Sequence, residues 1–230
     1  MKRNSIVIEE LERRIRFYQG MSTSSNTADP FDFKNLEIAI SEIKDICFRS
    51  CDFSNTLFKN VSLSNITFIN CNLTNTRFID SEFSNIKIIN SPIVDARFKD
   101  SDIDSITIQS SEISGTNFDN CEIYALCLTG TVQWAKFSIN NCHVRVAKLS
   151  GYISANFPNT YFDTLLTKNA EIELKDIRAI GIETLKPYHT RFYPEGQVDT
   201  LKTIAGEIQP DTYEAKSIAN NPTFYGYVKK

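Results

Sequence analysis

Beginning at Phe33, every fifth residue is Phe, Ile or Leu, through Ile38, Ile43 and Phe48 and on without interruption to Leu128. A spacing of five fits neither the 3.6-residue turn of a helix nor the two-residue alternation of a strand, so it marks a repeat array. A second row stands two residues before each centre and holds small or medium side chains, as at Cys51, Thr56, Val61 and Cys71. Within that row Ile46, Ile66, Ile86, Ile106 and Leu126 recur every 20 residues, and among the centres Phe58, Phe78, Phe98 and Phe118 do the same. Four five-residue units therefore close one turn, and successive turns set like side chains on like. Such turns stack as parallel strands about 4.8 Å apart. One coil cannot bury its own centres, whereas a stack buries a continuous column.

Asn or Asp recurs two residues after the centre, at Asn55, Asn60, Asn65, Asn70, Asn75 and Asp80 among others. These residues tolerate turn conformations and bond to nearby backbone, which supplies the corners. Stacked in register, the Asn side chains are expected to add hydrogen bonds between coils.

The units Cys51-Asp52-Phe53-Ser54-Asn55, Cys71-Asn72-Leu73-Thr74-Asn75 and Ser101-Asp102-Ile103-Asp104-Ser105 resemble those of the pentapeptide-repeat family. The resemblance runs unbroken over 31–130 and more loosely to about 187. It implies an all-β fold, a right-handed quadrilateral parallel β-helix with the centre and minus-two side chains inside. This chain departs from the family by placing Ser, Thr, Cys and Ile where Ala is usual.

Past Leu128 the register slips. Ala135-Lys136-Phe137 reads as the aromatic column resuming one residue early, with Ala155-Asn156-Phe157 a full coil beyond it. Phe162, Ile172, Ile177 and Ile182 keep the phase and Thr167 breaks it. The expected organisation is an N-terminal helix and linker over 1–30, the β-helix over 31–187, regular to 130 and irregular from 131, and a C-terminal cap or dimerisation segment over 188–230. Residues 5–19 carry a helical stripe of Ile8, Leu11, Ile15 and Tyr18 with i,i+4 pairs such as Glu9 with Arg13. Its role is to cover the first coil's open edge or to dock a partner. In the last segment Val198, Leu201, Ile204 and Ile208 suit a short helix ended by Pro210, and 211–219 a second.

Composition narrows the function more than the fold. The chain has 230 residues and a net charge of −3, with no segment reading as a signal peptide or a membrane span. Six cysteines occur without a CxxC pair. Cys51, Cys71 and Cys121 fall at inward positions, where Cys acts as a small hydrophobe. Cys51 and Cys71, one coil apart, are the one pair placed to approach disulfide distance. A reducing cytoplasm is the expected setting. The only histidines, His143 and His189, lie in separate irregular stretches without an evident Ser or Cys partner, and no phosphate loop, zinc spacing or nucleophile elbow appears. No cofactor or metal is expected. The enzymatic rival, a β-helix carbohydrate-active enzyme, builds its cleft from long inserted loops, and 31–130 has no inserted residue.

The outward positions remain. Asp80 and Asp100 form one column, and Glu82, Asp102 and Glu122 a second, each spaced by 20, with Asp104 and Asp119 beside them. Carboxylates stacked at about 5 Å repel by roughly 1 kcal/mol per pair even in water, a cost the fold does not require. The aromatic column's side carries Arg77, Arg97 and Lys136, with Lys59 and Lys99 two residues along. These charges read either as solvated surface or as an acidic recognition edge flanked by a basic face. The leading expectation is a non-enzymatic scaffold binding another protein through faces of the rod, with no direct contact to nucleic acid or membrane, monomeric or dimeric through its C-terminal segment. One branch of the family resembles B-form DNA and binds DNA gyrase, conferring quinolone resistance, so the resemblance also implies a DNA-mimicking topoisomerase binder. Residues 31–130 hold 14 acidic and 8 basic residues, a net of −6.

Overall fold

The chain turns a corner wherever the residue two positions past an apolar centre enters the left-handed region. Among the described residues, eighteen that are not glycine have φ between 48° and 60°, and all but Ser50 and Ser110 are Asn or Asp. An L-residue there costs about 1–2 kcal/mol, least for Asn and Asp, whose short polar side chains bond locally. The computed structural model describes residues 4–5, 13, 32–130, 135–175, 180–194, 213–217 and 225–229. Between corners lie short strands, and the coils stack in parallel into a β-helix of four sides.

In chain order within a coil, the first side is centred on Phe53 and Leu73 and the second on Phe58, Phe78 and Phe98. The third is centred on Leu63, Phe83, Ile103 and Ile123, and the fourth on Phe68, Ile88, Ile108 and Leu128. On the second side Phe58, Phe78, Phe98 and Phe118 are successive register partners. Their rings stack at centroid separations of 4.8, 4.8 and 4.5 Å with interplanar angles of 8° to 15°. Every fifth-residue centre from Phe33 to Leu128 lies in the core, at no more than 3% exposed.

In the regular coils the inward Ser and Thr bond to the backbone of the neighbouring coil, which removes the cost of burying a hydroxyl. Thr56 donates to the Phe33 carbonyl at 2.7 Å and Thr76 to the Phe53 carbonyl at 2.9 Å. The expected side-chain ladder is present: Asn85 donates to Asn65, and Asn65 to Asp45, each at 2.9 Å. Cys51 and Cys71 are free thiols and form no disulfide. Cys71 and Cys121 are buried. Hydrogen bonding with the neighbouring thiols of Cys51 and Cys142, then burial, pushes both thiols far above the ordinary range.

The structure corrects the reading of the slip. Phe118 is paired with Ile139, and Phe137 lies over Thr116, so this coil is one residue longer than those before it and the aromatic column does not resume at Phe137. Both the centre and the minus-two position face inward, and a Phe can be buried at either; Phe137 fills the second. The next coil is two residues shorter than the regular ones, with Phe137 under Ala155 and Val144 under Phe162. Over the described residues the third side continues through eight levels, centred on Ile43, Leu63, Phe83, Ile103, Ile123, Val144, Phe162 and Ile182.

At the N-terminal end Asn4–Ser5 pairs in parallel with Leu36–Glu37, the edge of the second side. Ser5, expected to open the helix, is thus in a strand; Arg13 is helical, and the rest of that stretch lies outside the described residues. At the other end the strand Ile180–Pro194 runs past the expected boundary at 187. Tyr213–Ser217, expected within a helix, is a strand paired antiparallel with Tyr225–Lys229. The helix expected around Leu201 lies outside the described residues.

Candidate protein-interaction face

Alternation along each short strand leaves three outward positions per unit, and stacking turns each into a column. On the third side the position before the centre gives Ser62, Glu82, Asp102, Glu122, His143 and Tyr161 in unbroken register. The position after it carries Ser64 and Ser84, then Asp104, Tyr124, Arg145 and Asp163. The corner between the second and third sides carries Asn60, Asp80, Asp100, Asn120 and Asn141, all with positive φ.

The structure therefore brings the expected acidic residues onto one corner and the adjoining third side, but it treats them unequally. Asp100 accepts from the Asn120 amide at 2.7 Å and meets Lys99 at 3.5 Å, and these hold its carboxyl below the usual range. Asp104 accepts from the Ser84 hydroxyl at 3.3 Å, and Asp119 from the Asn141 amide at 3.3 Å. Glu122 is met by His143 Nδ1 at 3.1 Å and Arg145 Nε at 3.8 Å. The side chains of Glu82 and Asp102, exposed and directly stacked, have no hydrogen-bond or ion-pair partner among the described residues, and that of Asp80 has none either. The unneutralised part of the edge is Asp80, Glu82 and Asp102.

The basic residues form a looser group. Arg77 and Arg97 stack on the second side, with Asn117 and then Ser138 above them. Lys59 and Lys99 share a column but are separated by Ile79. Lys136 does not join this face: with Phe137 over Thr116, it falls level with Gly115, one position before the second-side strand beneath it. Leu57, at the outward position beneath Arg77, is only 3% exposed, so that end of the second side is already covered by the chain itself.

His143 is the third-side residue whose surroundings the pattern missed. It stacks on Glu122, and its Nε2 lies 2.6 Å from Asp163 Oδ1. Tyr161 lies beside it with a ring-centroid distance of 5.7 Å, and Arg145 sits 5.6 Å from the centroid of the exposed Tyr124 ring. Allowing this coil one extra residue would have found it, since that step carries the Glu122 column onto His143. Among the described residues no group of three or more His, Cys, Asp or Glu converges to hold a metal ion. No described helix is long and apolar enough to cross a membrane.

A stacked four-sided helix with mostly Asn and Asp corners is a solenoid scaffold that presents its outward positions as columns. Residues 41–118 match the family model described as a pentapeptide repeat region, and they lie within the four-sided parallel β-helix. Similar solved structures include full-length QnrB1, a plasmid-mediated fluoroquinolone resistance protein, at 15% identity and a TM-score of 0.40, covering 64% of this chain and 93% of that one. Its trypsin-treated form matches at 16% identity and 0.40, covering 70% and 92%. HetL, a pentapeptide repeat protein involved in heterocyst differentiation regulation from the cyanobacterium Nostoc sp. strain PCC 7120, matches at 8% identity and 0.33, covering 80% and 92%. These likenesses concern the fold alone. Comparison with curated proteins returned no match.

Proposed function

We propose that the protein is a non-catalytic scaffold whose third side, along the corner Asp80–Glu82–Asp102, recognises a basic surface on another protein. The observation that carries this reading is the direct stacking of Glu82 and Asp102 with no partner for either carboxylate among the described residues, beside an equally unpartnered Asp80 carboxylate. Repelling carboxylates one coil apart cost stability that any neutral residue would spare. A complementary cationic surface would convert that repulsion into attraction and would raise the association rate through long-range steering.

The topoisomerase reading is second. Its support is the net −6 of residues 31–130. DNA presents evenly spaced charge along its whole length, whereas here the acidic corner abuts Lys59, Arg77, Arg97 and Lys99. The rod is a patchwork, which favours a local protein contact.

The test is affinity capture with the wild-type chain and the Glu82→Gln/Asp102→Asn variant, at low and at physiological salt. The expected result is a partner retained by wild type and weakened by the variant, most strongly at low salt, because exposed charge pairs are screened beyond about 10 Å at 0.1 M. A partner bound equally by both at both salts would remove the acidic edge from the site. A gyrase supercoiling assay distinguishes the second reading: inhibition, or protection from quinolone, at micromolar protein would move it to first place.

A further inference from the structure

Glu122, His143 and Asp163 stand on three successive levels of the third side, across the stretch where a lengthened coil is followed by a shortened one. His143 Nδ1 lies 3.1 Å from Glu122 Oε1, and Nε2 lies 2.6 Å from Asp163 Oδ1. A neutral imidazole has one N–H and one lone pair, so it can donate to only one of these carboxylates and turns its lone pair on the other. The imidazolium donates to both. The geometry thus selects the charged form and gives it a use, because the two carboxylates belong to different coils.

We infer that Glu122–His143–Asp163 is a proton-dependent clasp that fastens the irregular coils to the regular rod. The surroundings are consistent with this. Arg145, on the same strand as His143, approaches Glu122 at 3.8 Å and opposes the imidazolium, while Asp102 lies one level below Glu122. Tyr161 flanks the ring on the level above, and Glu183 follows Asp163 in the register of the next level. The hydrogen bond to Asp163 and the charges of Asp163 and Glu122 outweigh desolvation and the charge of Arg145 and raise the His143 pKa above its ordinary 6.5. For a group whose folded pKa is raised, the stabilisation is complete below the unfolded value and is lost as pH rises through the folded value. The clasp is therefore closed in mildly acid solution and opens toward alkaline pH.

The experiment is an NMR titration of the imidazole protons in the full chain, with the His143 signal assigned by its absence from His143→Gln, which leaves His189. Wild type is expected to titrate with a midpoint above 6.5, and Asp163→Asn and Glu122→Gln are each expected to lower it. In parallel, hydrogen exchange of the strand 160–175, corrected for the intrinsic pH dependence, should be slower in wild type than in His143→Gln below the midpoint and equal to it above. A wild-type midpoint at or below 6.5, or one that neither substitution moves, overturns the clasp. So does identical exchange in wild type and His143→Gln at every pH. Should Asp163→Asn fail to fold, Glu122→Gln carries the same test, because its carboxylate meets the other nitrogen.

Discussion

At the scale of single residues, the fold rests on inward rings and on corners that accept positive φ. Phe98 is 1% exposed and stacks on Phe78 and Phe118. Phe98→Ala should therefore cost about 3–5 kcal/mol, the usual loss on emptying a buried aromatic site, read from urea denaturation. Asn85 has φ 53° and donates to Asn65 across the coil. A β-branched side chain is strained there, so Asn85→Val should lose about 1–2 kcal/mol from backbone strain alone, whereas Asn85→Gly should lose less. Equal losses for the two would mean that the side-chain bond, not the backbone, governs the corner. Thr167 is the opposite case, a buried hydroxyl with no hydrogen-bond partner among the described residues, at a centre of the fourth side over Leu149. Thr167→Val keeps the shape and removes the unpaired group, so it should stabilise by about 1 kcal/mol, visible as a raised melting temperature.

At the scale of the coil, almost all of the regular array was legible, because the fivefold and twentyfold periods fix both which side chains enter the core and which residues stack. Phe58 on Phe78, and Glu82 under Asp102, follow from arithmetic alone. The arithmetic failed where coil length changed. Centre and minus-two positions are both inward, so Ala135-Lys136-Phe137 satisfies either register, and only the backbone places Phe137 over Thr116. Lys136 was misplaced and His143 overlooked for the same reason. Partner choice within the acidic edge was not legible either, because it depends on which of Asn120, Asn141, Ser84 or His143 reaches each carboxylate. Repetition has a direct consequence for deletion. Removing residues 71–90 joins Asn70 to Ser91 in register, and each coil contacts only its neighbours. The variant should fold to a rod one level, or about 4.8 Å, shorter. Circular dichroism and small-angle scattering would detect this; an unfolded product would mean that residues 71–90 hold contacts beyond the adjoining coils.

At the scale of the whole molecule, the charge is small in sum but unevenly placed. The net of −3 includes an acidic corner that the second side's arginines and lysines partly offset. Neutralising Glu82 and Asp102 should raise stability by a few tenths of a kcal/mol, since exposed charge interactions are worth about 0–1 kcal/mol. The gain should shrink as salt is added. A loss of stability at low salt would show that these carboxylates support the fold and would weaken their reading as a recognition edge.

The strand Asn4–Ser5 on the edge of the second side matters most before the protein is complete. A growing chain leaves the ribosome at about 5–20 residues per second, so a 20-residue coil takes about 1–4 s to appear. Local strand pairing takes about 1–10 μs. Asn4–Ser5 is synthesised before the Leu36–Glu37 edge it pairs with, and each later coil emerges onto a finished one. Order of synthesis thus becomes order of assembly. At any moment during translation the Leu36–Glu37 edge already has its partner, and the growing open edge is the newest rung.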